Sequence, residues 1–461
     1  MKEYDLIVIG GGRASNLAKN AAKRGKKVAL IEKSLLGGTC PNRGCVPSKL
    51  LIGYAEVSRA IQEASRHYID AKIQNIDVEK IFAKTNYYIS KVDGNYQKKF
   101  NENVTLYRGE GRFVGNKIVE VNGEQLTAEH IVIATGTRPV TPPHPMAWSS
   151  DDIFPIKKIP KSIAIVGAGF IGIELSNFFA SIGIKTKLIV RDEKLLGNED
   201  EDIQKIFKEE FVKRVDVAFN SEIEEIAYDE QKESFTLGIL HKESGVEHAE
   251  YDALLYTIGR RSNADLLGLE NTEIELDKRG YIYRDQFYET AVKGVFVVGD
   301  AGGEYMLQHA AAYEINHLEK YLYEGKDEPL KFKYMPHAVF SDPEVASVGL
   351  TEAECRRENI EYVSSVTNWL ASAKAESLKL RYPVTKFIIN PSNYEILGCH
   401  LVGPQSATMM HQVLAVMHID NDIRHLKEML YIHPALSEAL LPAAINAVKS
   451  VEKHNKESKN S

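Results

Sequence analysis

Cys40 and Cys45 stand in the run Gly37-Gly38-Thr39-Cys40-Pro41-Asn42-Arg43-Gly44-Cys45-Val46-Pro47-Ser48-Lys49. Two cysteines at this spacing can close a small disulfide ring, and either thiolate would attack other disulfides. The pair therefore reads first as a dithiol that exchanges electrons. Half of a zinc site is a rival reading, but neither Cys355 nor Cys399 has a Cys or His at a matching pair spacing; His400 merely adjoins Cys399. Two buried structural thiols are a third reading, because free cysteine packs as a small hydrophobe. Position favours the first: the run directly follows a nucleotide-binding strand, turn and helix.

That unit has a strand over residues 6–9, the turn Gly10-Gly11-Gly12-Arg13-Ala14-Ser15, a helix to about residue 24, and a strand over residues 27–31 that ends at Glu32. Gly10 permits the tight turn, and Gly12 lets the backbone approach a pyrophosphate, whose charge meets the helix N-terminus. Glu32, twenty residues after Gly12, is placed to accept from ribose hydroxyls. Ser15 takes the place of the third fingerprint glycine, so helix and strand must tolerate its hydroxymethyl group.

The pattern returns as a strand over residues 162–166 followed by Gly167-Ala168-Gly169-Phe170-Ile171-Gly172-Ile173-Glu174, with all three glycines present. Two such units imply two dinucleotides. The second strand of the repeat, residues 186–190, ends in Arg191 rather than an acid. An arginine there can pair with a 2′-phosphate, whereas an acid accepts from the 2′-hydroxyl of NAD, so NADPH is favoured and NADH remains possible.

The chain has 461 residues, 44% apolar and 26% charged, with a net charge of −7. That length predicts several domains. The acidic balance argues against nucleic acid or an anionic membrane as partner. A strand begins almost at the first residue, no apolar run reaches the length of a membrane span, and four cysteines suit a reducing compartment, so a cytoplasmic location is expected.

With the fingerprint, the cysteine motif and the second unit in this order, the chain resembles the class I pyridine nucleotide-disulfide oxidoreductases over nearly its full length. Further matches are Ala134-Thr135-Gly136-Thr137-Arg138-Pro139, Thr257-Ile258-Gly259-Arg260-Arg261-Ser262-Asn263, Val297-Val298-Gly299-Asp300-Ala301 and His433-Pro434-Ala435-Leu436-Ser437-Glu438. The resemblance implies an α/β fold with two Rossmann-like domains, for FAD and NAD(P), and a C-terminal α+β dimerisation domain. The segments would be 1–155 for FAD, 156–256 for NAD(P), 257–332 completing the FAD site, 333–450 for the interface, and a disordered tail 451–461.

By the same resemblance, FAD would meet Gly10, Gly12, Glu32, Lys33, Gly38, Thr39, Cys40, Lys49, Gly111 at the adenine, Thr135, Gly136, Asp300, Leu307, Gln308 and His309. NAD(P) would meet Gly167, Gly169, Phe170, Ile171, Gly172, Glu174, Arg191 and Gly259, with Phe170 either covering the nicotinamide pocket or packing in the core. Lys49 would pair with Glu174 near the flavin, since an unpaired buried ammonium is strongly disfavoured. No metal is implied.

The implied cycle passes a hydride from NAD(P)H to the flavin and an electron pair through Cys45 to open a Cys40–Cys45 disulfide; Cys40 then attacks the substrate disulfide. His433, oriented by Glu438, is the implied base. It would be contributed across a homodimer. Segments around residues 263–267 and 303–311 look most like the mycothione reductase branch, whose substrates are low-molecular-weight disulfides. Pro41 and Arg43 depart from that branch; Arg43 favours an anionic substrate or tunes the thiolate. The alternatives are a dihydrolipoyl dehydrogenase, which would carry an acid in place of Arg191, a mercuric or other metal-ion reductase, and a redox-sensing flavoprotein with no need of His433.

Overall fold

In the computed structural model, which describes residues 1–460, the chain divides into two compact units. The first comprises Met1–Leu51, Asp77–Ile159 and Ile258–Lys331; the second comprises Ile52–Ile76, Pro160–Thr257 and the chain from Phe332 onward. The architecture is of the expected mixed α/β class.

The first unit opens with β1 (Lys2–Ile9), α1 (Ser15–Lys23) and β2 (Val28–Glu32), followed by the short helix α2 (Thr39–Arg43) and by α3 (Cys45–Gln62). Strands β3 (Val104–Arg108), β4 (Arg112–Gly115), β5 (Ile118–Val121) and β6 (Glu124–Ile133) complete a sheet of order β3-β2-β1-β6-β5-β4, and Val295–Val297 pairs in parallel with β6. The β1–β2 register sets Leu6 against Val28 and Ile9 against Ile31. Unbroken apolar runs suit strands covered on both faces. Leu6 and Val8 pack on Leu17, Ala18 and Ala21 of α1, whereas Ile7 and Ile9 pack on the opposite side with Phe113 and Ile131. A short ribbon pairs β7 (Thr137–Pro139) with Arg260–Ser262.

The second unit repeats the scheme with parallel strands in the order Asp216–Ala218, Lys185–Ile189, Ser162–Val166 and Ala253–Tyr256, and with helix Phe170–Ser181 as the crossover. A three-stranded antiparallel sheet spans Ser221–Asp229, Ser234–His241 and Gly245–Tyr251. A five-stranded antiparallel sheet of order His337–Val339, Val345–Gly349, Ile396–Val402, Val384–Ile389 and Val363–Asn368 carries the C-terminal helices. Lys386, in the middle of an otherwise apolar strand, is fully buried, with its ammonium 2.6 Å from each of Asp200, Asp202 and Glu352. Burial alone would lower its pKa, but the three carboxylates more than offset that and raise it.

Two expectations are corrected. Residues 52–76 group with the second unit rather than with the first segment, because Ser58 donates to the Ser181 carbonyl (2.6 Å) and Arg59 to Asn177 (2.6 Å). Residues 451–460 of the expected tail 451–461 are not disordered, since helix Leu440–Asn460 runs through them, and Ser461 lies outside the described residues. Val451 is buried, Asn455 donates to the Pro391 carbonyl (2.9 Å), and His454 lies 3.2 Å from Glu361. A single apolar residue and two long-range polar contacts thus order a segment whose composition reads as solvated. Among the described residues no helix is long and apolar enough to cross a membrane.

Candidate functional site

The end of β1 turns at Gly10, whose φ of +114° and approach to Ala134 admit no side chain: a Cβ would lie 2.3 Å from the Ala134 oxygen. The Gly12 backbone then passes Gly38, where a Cβ on Gly38 would sit 2.8 Å from the Gly12 Cα. Two backbones in such contact at the N-terminus of α1 form a cradle fit for a pyrophosphate. Ser15 resolves its departure from the fingerprint by donating its hydroxyl to the Gly12 carbonyl at 2.8 Å. The Glu32 carboxylate accepts from Gly11 N and Ser34 N, both at 2.7 Å, which fixes it at the rim of this cradle. Lys33 points away, 3.4 Å from Glu110, and Gly111 packs against Ile31.

Further along the same unit, Thr135 Oγ1 is buried with no hydrogen-bond partner, while Asn263 holds the Thr135 carbonyl (2.8 Å) and the Gly136 carbonyl accepts from Asn263 N (3.1 Å). Thr137 donates to Asp300 (3.0 Å), whose carboxyl is pushed up by burial. Leu307 caps helix Gln308–Glu324, which starts with Gln308 and His309. The glycine cradle, the orphaned Thr135 hydroxyl and buried Asp300 fit an FAD: Gly10, Gly12 and Gly38 would hold its pyrophosphate, and Thr135 and Asp300 would meet its other polar groups.

Cys40 lies in α2 and Cys45 begins α3, with Gly44 between the two helices. Cys40 is half-buried and Cys45 exposed, both as free cysteines. A hydrogen bond with Cys45, reinforced by burial, drives the Cys40 thiol far up, while the Lys49 charge one turn into α3 pulls it down. The Cys45 sulfur sits at the N-terminus of α3, where negative charge is stabilised.

In the second unit, Gly167 (φ +115°) turns against Thr257, and a Cβ on Gly172 would lie 2.1 Å from the Gly167 oxygen. Gly169 has open space where its Cβ would be, as a bound pyrophosphate requires. Phe170 opens the following helix and is 48% exposed, so it is not a core residue; Ile171 follows it. Glu174 is buried and accepts from Phe340 N (3.0 Å). Arg191 follows the strand end with an exposed guanidinium 3.8 Å from Asp192. Gly259 (φ +115°) belongs to the first unit, as does Lys49.

His433 is exposed, with Nδ1 2.9 Å from Glu438 Oε1. Beside it Leu430 and Ile432 are 96% and 82% exposed. The sequence reading overlooked Asp151 and Arg260, which lie near Arg43 and Thr137 respectively. Arg260 sat inside a quoted motif, but nothing local marked Asp151. Among the described residues no group of three or more His, Cys, Asp or Glu side chains is placed to hold a metal.

The family model described as pyridine nucleotide-disulphide oxidoreductase matches residues 4–314, and the corresponding dimerisation-domain model matches residues 335–444. Curated relatives include a dihydrolipoyl dehydrogenase of Buchnera aphidicola, 29% identical over 94% of each chain. A mycothione reductase of Mycobacterium tuberculosis is 29% identical over 95% of this chain and 98% of its own. A glutathione reductase of Burkholderia cepacia is 30% identical over 95% and 97%. Among solved structures, the HOCl-induced flavoprotein disulfide reductase RclA from Escherichia coli superposes with a TM-score of 0.84 at 26% identity, covering 96% of this chain and 99% of that one.

Proposed function

The chain belongs to the pyridine nucleotide-disulphide oxidoreductase family, and from that premise we propose that it is an NADPH-favouring, homodimeric reductase of a low-molecular-weight disulfide. It is an oxidoreductase that acts on sulfur groups with FAD and NAD(P)H. The observation that carries the disulfide-exchange chemistry is the Cys40–Cys45 contact at the head of α3, under the charge of Lys49 and in the same unit as the glycine cradle; the preference for NADPH rests on Arg191 at the end of the strand.

Bound FAD supplies the hydride acceptor that hands an electron pair on to sulfur. The remaining chemistry belongs to the chain. Once the pair is reduced, Cys40 attacks one sulfur of the substrate disulfide; a mixed disulfide forms and one thiolate leaves. Cys45 attacks the Cys40 sulfur, expels the second thiolate and closes the Cys40–Cys45 bond. His433 of the partner subunit gives the leaving thiolate its proton from Nε2, while Glu438 holds Nδ1 and stabilises the imidazolium. The exposure of His433, Leu430 and Ile432 supports a role at an interface between two copies.

The second reading, favoured by the dihydrolipoyl dehydrogenase relative, runs the same sulfurs in reverse with NAD. Anaerobic turnover of the purified flavoprotein with NADPH or NADH, against lipoamide and a panel of small disulfides, separates the two. NADPH-driven reduction of a small disulfide with poor lipoamide activity is the expected result; fast NAD-linked oxidation of dihydrolipoamide would replace it with the second reading. Cys40→Ser should retain flavin and lose turnover.

A further inference from the structure

The six-residue run from Cys40 to Cys45 contains one charged side chain, Arg43. A guanidinium inside a redox ring would stabilise a thiolate and shift the couple toward the dithiol. Yet the cation acting on Cys40 is Lys49. Arg43 is engaged elsewhere: Nη2 donates to Ser34 Oγ at 2.8 Å, and Nη1 lies 3.6 Å from Asp151 Oδ2.

Asp151 sits in the 3-10 turn Ser150–Ile153, whose capping box is made by Ser149 and Asp152, so its carboxylate is not needed for the turn. Its Oδ1 is buried without a hydrogen bond, 3.9 Å from Arg260 Nη1. Arg260 is itself fixed by donating to Thr137 Oγ1 and Thr137 O, each at 2.9 Å. The carboxylate is thus held between a fixed arginine and the one arginine of the cysteine ring.

We propose that Asp151 is a positioning residue for the Cys40–Cys45 couple: with Ser34 it draws Arg43 out of the ring and so sets the couple's redox poise. This rests on the reading of Cys40 and Cys45 as the redox pair. It makes Arg43 a charge withheld from the couple rather than a binder of an anionic substrate.

The test equilibrates the full-length flavoprotein with dithiothreitol buffers, in which the Cys40–Cys45 bond breaks to two thiols as dithiothreitol closes its cyclic disulfide. Acid quench, maleimide labelling and mass spectrometry then count free thiols, and the pH profile of thiol alkylation is recorded alongside. Asp151→Asn should shift the equilibrium about tenfold toward the dithiol, about 30 mV for a two-electron couple, and move alkylation to lower pH. Arg43→Gln and the double variant should both stay within about twofold of the parent, because the effect of Asp151 acts only through Arg43. Asp152→Asn, which breaks the capping box, should also stay within that range. Ser34→Ala releases the other tether and should shift the equilibrium in the same direction, about threefold, which keeps the idea testable if Asp151→Asn folds poorly. An unshifted equilibrium in both tether variants, or a shift that survives in the double variant, refutes the role of Asp151. If Cys40 and Cys45 form no disulfide in any buffer, the reading of the redox pair itself is wrong.

Discussion

Gly38→Ala should separate flavin binding from folding. Gly38 has φ +69° and ψ −159°, a region open essentially to glycine, so an alanine there costs about 1–3 kcal/mol in backbone strain. Its Cβ would lie 2.8 Å from the Gly12 Cα, a contact between two backbones that no side-chain rotation relieves. Opening the cradle to an ordinary separation adds about 1–2 kcal/mol more. The apoprotein can escape the strain by letting the loop drift, and the cost then returns when FAD demands the closed cradle. The expected total is about 2–5 kcal/mol, or about 30-fold to several thousandfold in FAD affinity. Fluorescence titration of deflavinated protein measures it, with Gly123→Ala as control, since that glycine has φ +78° and no atom within 4 Å of its would-be Cβ. FAD affinity within about threefold of the parent in Gly38→Ala would refute the cradle.

Lys386→Met should destabilise by about 3 kcal/mol by leaving Asp200, Asp202 and Glu352 uncompensated; urea midpoints should show the loss shrinking below about pH 5, where the carboxylates neutralise. His337→Gln tests a pH window. Burial opposes the charge on Glu199, but His337 (2.6 Å) and Ser347 hold its pKa below the ordinary carboxyl value; burial likewise opposes the charge on His337, but Glu199 holds its pKa above the ordinary 6.5. The Glu199 contribution is present above its unfolded pKa and lost as pH falls through its lower folded one, whereas the His337 contribution is full below 6.5 and lost as pH rises through its higher folded one. Thermal midpoints of parent and variant should therefore differ most between the ordinary carboxyl value and 6.5, and converge as pH rises past the raised His337 value. His433→Gln should slow the disulfide half-reaction about 100-fold or more while sparing reduction by NAD(P)H, as read by stopped flow.

The two nucleotide-binding units were legible because each glycine answers a local backbone demand that three or four neighbouring residues reveal. The run that holds Cys40, Cys45 and Lys49 stood out because all three lie within ten residues. What depended on distant partners was not. Arg43 left two roles open until Asp151, far along the chain, was seen beside it. Lys386 is one charge in an apolar strand, and its carboxylates come from helix starts at Asp200–Asp202 and Glu352. The tail read as solvated because the groups that order it, Glu361 and the Pro391 carbonyl, lie on other elements.

Ser15 and Gly172 occupy the same place in their two fingerprints and face opposite mutational fates. Ser15 anchors its hydroxyl on the Gly12 carbonyl, whereas at Gly172 even a methyl group would overlap the Gly167 oxygen. The first position therefore accommodates a buried side chain, and the second is confined to glycine. A motif scan that insists on all three glycines would find one dinucleotide fold in this chain and overlook the one at its N-terminus.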